Sequence, residues 1–494
     1  MRPELRNIIL ILMILPAFCS IAQKRIYLPD SIMYAVGSVE NGSPEGYWKY
    51  YSVDTDQLMQ EGPFENGKQE GEWKFYHPNG NIHSVEEYSN GLLSGSIKIY
   101  YSDGALKTEG SNSNGKKNGT WISYHQNRNI ESKVEYIDGL AEGTVHIKNY
   151  FGTTTKTMTY ASGKLEGRYI EYFMDGTTSL IGVYHNDSED SIWNRYNSLG
   201  ALIETKSFKN EKQDGPWQTY SEYGVLISSR PYKDGNPDGK WEEFFINKKP
   251  KSTTQYLDGL EEGPYYEYFQ NGRPSVKGNF SRGEKTKEWI TYFSSSRVYS
   301  IGSYANDLET GLWKYFHSNG NLAEEGSYQD GLEDGQWVRY HDNGQLKAMG
   351  SFEFGMENGT WGLFHTTGRL MQEENWETGK LWNVSVVTLI DGNIKEPGNF
   401  KDGSGTKLNF YPDGNLEISC DFKSGQPHGQ WKYYYESGEL AEEGTFDMGF
   451  KSGDWTTFHK NGNKESEGKY LNDTKIGTWK YYSRSGILSQ TVEN

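Results

Sequence analysis

Cysteine is almost missing from this 494-residue chain: there are two, Cys19 and Cys420. Cys19 falls in an N-terminal leader described below, so Cys420 stands alone and an internal disulfide framework is excluded. Apolar residues are scarce at 34%, and mean hydropathy is −0.83. The longest apolar run, Ile8 to Phe18, has eleven residues. A helix crossing a bilayer needs about 20, so no integral membrane segment is expected. Positive charge is also short, with 50 Lys and Arg against 67 Asp and Glu and a net charge of −17. Such a field repels nucleic acid and anionic headgroups. The cations are dispersed along the chain, so there is no basic patch to reverse that expectation. Helical periodicity is missing too. Glycine recurs every four to seven residues, and each would cost a helix about 1 kcal/mol.

Low apolar content with high net charge ordinarily reads as disorder. Two abundances argue otherwise: 15% aromatic residues (37 Tyr, 21 Phe, 15 Trp) and 58 Gly. Rings and glycines with few aliphatics suggest thin β-structure, in which stacked rings replace a deep core.

The first residues read as a targeting segment. Arg2 and Arg6 precede the apolar run, and Ser20-Ile21-Ala22 fits a small-x-small cleavage site, so cleavage is expected between Ala22 and Gln23. Lipidation of Cys19 is the competing idea, and Phe18 before it is the wrong size for a lipoprotein signal. Removal of Arg2, Glu4 and Arg6 takes the net charge from −17 to −18. The expected location is therefore outside the cytoplasm, in the periplasm, at the cell surface or beyond it.

From residue 42 to 494 the chain is an array of about nineteen units with a 24-residue period, after a segment 23–41 that ends in a leading half-repeat. The anchor of most units is a Trp, usually preceded by Gly-x, as at Trp73, Trp313, Trp337 and Trp455, and Ile97, Val145, Tyr169, Tyr265, Ser385 and Lys407 fill the other slots. An aromatic follows three residues later (Tyr76, Phe316, Tyr340), then Gly at seven (Gly80, Gly320, Gly344, Gly462) and Leu or Ile at nine (Leu322). Gly often stands thirteen after the anchor (Gly326) and an aromatic fifteen after it (Tyr88, Tyr328). Two short runs joined by Asn-Gly or Asp-Gly are a β-hairpin, and a later glycine pair makes the return turn. The glycine at thirteen sits inside a strand, where it weakens pairing unless a neighbouring ring lies flat on it. Cys420 occupies that column and reads as a small-residue substitute. The anchor positions near 145–170 and 380–410 depart from the pattern, with Lys148 and Thr388 replacing the first aromatic, so the array could bend, kink or bind there.

The run Gly311-Leu312-Trp313-Lys314-Tyr315-Phe316-His317-Ser318-Asn319-Gly320-Asn321-Leu322 resembles the MORN repeat, in its bacterial variant. The resemblance implies an all-β fold: an elongated, twisted, single-layer antiparallel sheet of tandem hairpins. It also implies an antitoxin-like role as the neutralising partner of another protein, since proteins of that variant are often classed so. An export signal fits such a role poorly.

Candidate chemistry is sparse. His77, His125, His317, His341, His365 and His459 all lie four after the anchor. Consecutive units place them about 10 Å apart, too far to share one metal. Asp54, Asp56, Asp187 and Asp190 lack the spacing of a calcium loop. Glu261-Glu262, Glu324-Glu325 and Glu442-Glu443 recur before glycines as a solvated strand edge would, and no hydrolase or phosphate-loop motif occurs. The expectation is a non-enzymatic scaffold without cofactor or metal that binds a protein partner. Cell-surface glycan binding by exposed rings is the alternative.

Overall fold

The computed structural model describes residues 25–28 and 32–494. The leader and the cleavage point between Ala22 and Gln23 lie outside the described residues. Among the described residues there is no helix. The chain divides into two units, the first ending at Pro237 and the second starting at Asp238.

In the first unit a single antiparallel sheet runs from Ile26–Tyr27 to Asn236–Pro237 in hairpin order, and where a strand is interrupted, as between Lys68–Gln69 and Gly71–Tyr76, both pieces pair with the strand before them. The half-repeat is present: Met33–Glu40 pairs with Ser43–Ser52. The stretch around 145–170 stays in this sheet without a break, as Leu140–Lys148, Thr154–Ala161 and Lys164–Tyr172 pair in order.

The second unit carries a like sheet from Gly239–Phe244 to Lys380–Val384. There the ladder stops. Val387–Thr388 and Ile394–Lys395 form a separate two-stranded piece. A new eight-stranded sheet then begins at Gly405–Phe410 and ends at Leu488–Glu493. None of these sheets closes on itself.

One hairpin shows why the sequence folds this way. Leu332–Tyr340 and Leu346–Glu353 are joined by a tip in which Gly344 N–H donates to the His341 carbonyl (2.8 Å) and His341 N–H to that of Gln345 (2.8 Å). Gly344 has φ 84° and Asn343 is not left-handed, so the tip is a type I turn closed by a left-handed glycine. The return turns differ. At Asp330-Gly331 both residues are left-handed (φ 51° and 80°), the mirror-image turn whose twist matches the strands. The sequence pattern marks both turns, and the structure separates their types.

Candidate functional site

The anchors build an internal spine. Ten tryptophans are at most 7% exposed: Trp48, Trp73, Trp121, Trp193, Trp289, Trp313, Trp337, Trp361, Trp455 and Trp479. Each lies flat on a glycine eleven residues earlier in the chain. A Cβ placed on Gly326 would stand 2.1 Å from Trp337 Cδ2, and one on Gly62 would stand 2.3 Å from the same atom of Trp73. The expected ring over bare backbone is therefore present, and the ring belongs to the anchor that follows the glycine. Trp337 Nε1 also donates to the Ser327 carbonyl at 3.2 Å, beside the register shift that the glycine makes in its strand. The aromatic fifteen after the anchor then meets the next indole edge-on, as Tyr328 does with Trp337 (5.1 Å, 89°). Tyr88 meets Trp73 at 6.3 Å and Tyr470 meets Trp455 at 5.7 Å.

The aromatic three after the anchor faces the other side. Tyr76 donates to Glu61 (2.6 Å) and Tyr340 to Glu325 (3.2 Å). Burial and the neighbouring carboxylate push the Tyr76 phenol well above its usual range. Phe316 stands opposite Leu322 in its hairpin. Gly80, Gly320 and Gly462 close their tips with positive φ, as Gly344 does.

The histidine column is occupied in a way the sequence did not disclose. His317 Nε2 reaches the Tyr340 carbonyl (3.0 Å), His341 that of Phe364 (2.9 Å) and His365 that of Thr388 (2.6 Å). The acceptor is a carbonyl, so Nε2 carries the proton. Tyr101 and Tyr435 make the same link from the same column through their hydroxyls. Asn319 Nδ2 donates to Asp342 O and Asn343 Nδ2 to Thr366 O (2.6 and 2.7 Å). These hairpin tips are thereby tied to the next. Among the described residues no three His, Cys, Asp or Glu gather as metal ligands would.

The paired glutamates diverge, as neighbours on a strand must. Glu324 holds Arg339 Nε (2.6 Å), while Glu325 takes Lys314 (3.1 Å) and Tyr340. Glu262 caps the amide of Arg282 (2.8 Å). Cys420 is buried and free, and burial pushes its thiol up to about 12. The ring columns are mostly internal. The most open rings stand at hairpin tips, such as Phe151 (78% exposed) and Tyr223 (74%).

The break in the second unit is where the pattern yields to something else. Glu374 stands in the glycine column, and Ser385 in the anchor slot eleven residues later. Lys407, the next anchor, carries its ammonium back across the break to Glu374 (2.7 Å), and Trp376 Nε1 donates to the same carboxylate (3.2 Å). Both partners are nearly buried, with side chains 12% and 9% exposed. Leu381, Val387, Leu389 and Phe400 are buried around the interruption. The two sheets of this unit stay stitched on the return-turn side, where Gly403 N–H donates to Trp382 O (2.8 Å) and Gly425 N–H to Gly403 O (2.7 Å).

Next to the break lies a cleft of about 700 Å³. Its floor is Ala348, Leu363 and Met371, Ile390 and Pro412 close one side, and the tip residues His341 and His365 edge the other. Arg339 and Lys347 also line it, against the single carboxylate of Glu324. Sequence reasoning flagged 380–410 as irregular. It did not find the cleft, because the repeat columns do not show that Ile390 and Pro412, on the next two hairpin tips, approach Leu363 and Met371.

Five stretches match the family described as MORN repeat variant: residues 69–90, 309–330, 333–353, 427–448 and 451–472. No curated protein matches the chain. Among solved structures, the crystal structure of TcdB2-TccC3 aligns with 94% of this chain and 28% of its own, at 11% identity and a TM-score of 0.13. The same assembly without its hypervariable C-terminal region aligns with 93% of this chain and 30% of its own, at 10% identity and 0.13. A Tc holotoxin pore of Photorhabdus luminescens aligns with 95% of this chain and 29% of its own, at 11% identity and 0.12. This chain thus spans under a third of the length of those chains.

Proposed function

We propose that this chain, which carries MORN-variant repeats, is a non-enzymatic scaffold that holds a protein partner outside the cytoplasm. One observation carries the reading. The side chains that could do chemistry are taken up by the repeat itself: imidazoles on carbonyls, glutamates on amides and cations, indoles on glycines, the thiol buried in its strand. What remains for an outside molecule is a long repetitive surface, the kind that repeat arrays use for binding. Export rests on the leader. Fusing residues 1–22 to a phosphatase that is active only after export should give activity, and an inactive fusion would remove the extracytoplasmic part. For the partner, photo-crosslinkers placed one per hairpin along the full chain should give the same discrete adduct at several adjacent hairpins in cells. A chain that stays uncrosslinked throughout would sink the scaffold reading.

A second reading, glycan binding, is favoured by the open rings of Tyr150, Phe151 and Tyr223. A glycan array on which the full chain and a Phe151→Ala variant behave alike would dispose of it. The antitoxin-like role predicts that co-expression rescues cells from a toxic neighbouring gene product.

A further inference from the structure

We infer that the cleft beside the sheet break binds a small organic anion: an apolar body of drug size bearing one negative group. The volume, about 700 Å³, falls in the range of roughly 300–1,000 Å³ typical of small-molecule sites. The lining supplies the rest. Ala348, Leu363, Met371 and Ile390 offer an apolar bed without a polar side chain among them. Arg339 does not act as a free cation, since Glu324 takes its Nε at 2.6 Å and its guanidinium lies 5.4 Å from the Trp361 ring centre. That leaves Lys347. Its side chain stands on an exposed strand position at the cleft, and among the described residues it has no ion-pair partner. In a chain of net charge −17 an unpaired cation over an apolar bed is against the average. It sets a local preference for an anion that the rest of the molecule would repel.

The rigidity of the walls adds to the case. Ala348 and Leu363 belong to the two strands that the Gly350–Trp361 contact locks together. Opposite them, Ile390 follows Leu389, whose amide is held by the Asn393 carbonyl at 2.8 Å. A site so held is formed before the ligand arrives, which reduces the ordering needed on binding.

The test uses the full chain and a matched pair of probes, 8-anilinonaphthalene-1-sulfonate and N-phenyl-1-naphthylamine, which share one apolar body and differ in the sulfonate. The anionic probe should bind saturably with one-to-one stoichiometry and at least tenfold more tightly than the neutral one. Lys347→Glu should weaken the anionic probe at least tenfold and leave the neutral probe nearly unchanged. Ile390→Trp, at a position already 36% exposed, should block both by filling the cleft. Lys98→Glu, in the other unit, should change neither. Thermal melts of all variants would report that the fold is kept. Equal affinity for the two probes, binding that never saturates, or anionic binding indifferent to Lys347→Glu and Ile390→Trp would each overturn the proposal.

Discussion

Gly326→Ala is the sharpest test of how this chain replaces a core. The backbone at Gly326 is not left-handed, so alanine meets no conformational penalty there. At an open strand position of that kind, Gly→Ala stabilises by about 0.4–1 kcal/mol through the unfolded chain. Here the added methyl would stand 2.1 to 2.5 Å from three atoms of the Trp337 ring. That ring is 1% exposed and cannot swing away. Overpacking of this sort costs about 1–3 kcal/mol, so the sign of the effect should reverse. A repeat array need not unfold in one step. The suitable assay is therefore hydrogen exchange read on peptides covering 322–340, with exchange in the first unit as an internal reference. Trp337→Leu alone should cost several kcal/mol, since large-to-small changes at buried rings run to about 3–5 kcal/mol. The double variant should cost less than the two single changes together, by about 1 kcal/mol or more, because the methyl then has room. If Gly326→Ala protects the amides of 322–340, or if the two changes simply add, the clasp is not what holds the hairpins together.

Three further outcomes follow from the same contacts. Lys407→Met should destabilise the start of the last sheet by about 3–5 kcal/mol by stranding Glu374, whereas Lys407→Met with Glu374→Leu should be near neutral; exchange over 405–423 separates the two, and a neutral single variant would refute the buried pair. Cys420, its thiol raised to about 12 by burial, should react with a maleimide far more slowly in the native chain than in denaturant, and rapid native labelling would contradict its burial. Burial raises Tyr50 and Tyr265 to about 12 each, above the ~10 of an unfolded tyrosine. Their stabilisation is then complete below pH 10 and lost as pH climbs from 10 to 12. A phenolate absorbance titration should show a late-ionising fraction coinciding with loss of structure, and early ionisation of every tyrosine would be the contrary result.

The repeat and its hairpins were legible in the sequence because the columns that make turns are chemically narrow. Only glycine serves easily at Gly80, Gly344 and Gly462, where φ is positive. The Gly326 column was legible for a different reason: a glycine inside a strand calls for something to cover it. What could not be read is which anchor does the covering, since that depends on register between hairpins. The bond of His317 and of His341 to the next tip's carbonyl was invisible, because a carbonyl has no letter in the sequence. The same holds for the cleft. Its far wall comes from Ile390 and Pro412, tip residues whose approach to Leu363 depends on how the strands are placed past the break.

The two irregular stretches differ in outcome, and the contrast explains what the array tolerates. Among the described residues a buried tryptophan occurs only where the residue eleven before it is glycine; Trp217, Trp241 and Trp431, which follow Lys206, Arg230 and Cys420 in that column, are only partly buried. Near 145–170 both members of the pair change together. Val134 and Val145 replace glycine and tryptophan, as do Met158 and Tyr169. Volume moves from the anchor to its partner, Val145 is still 2% exposed, and the ladder continues. At 374–385 the pair is Glu374 and Ser385, which returns no volume and places a carboxylate where a ring should lie. Such a carboxylate needs a cation, and the one that reaches it is Lys407, 33 residues away and past the interruption. The ladder parts at this pair, and Ile390 and Pro412, from the next two hairpin tips, line the cleft beside it together with Leu363 and Met371.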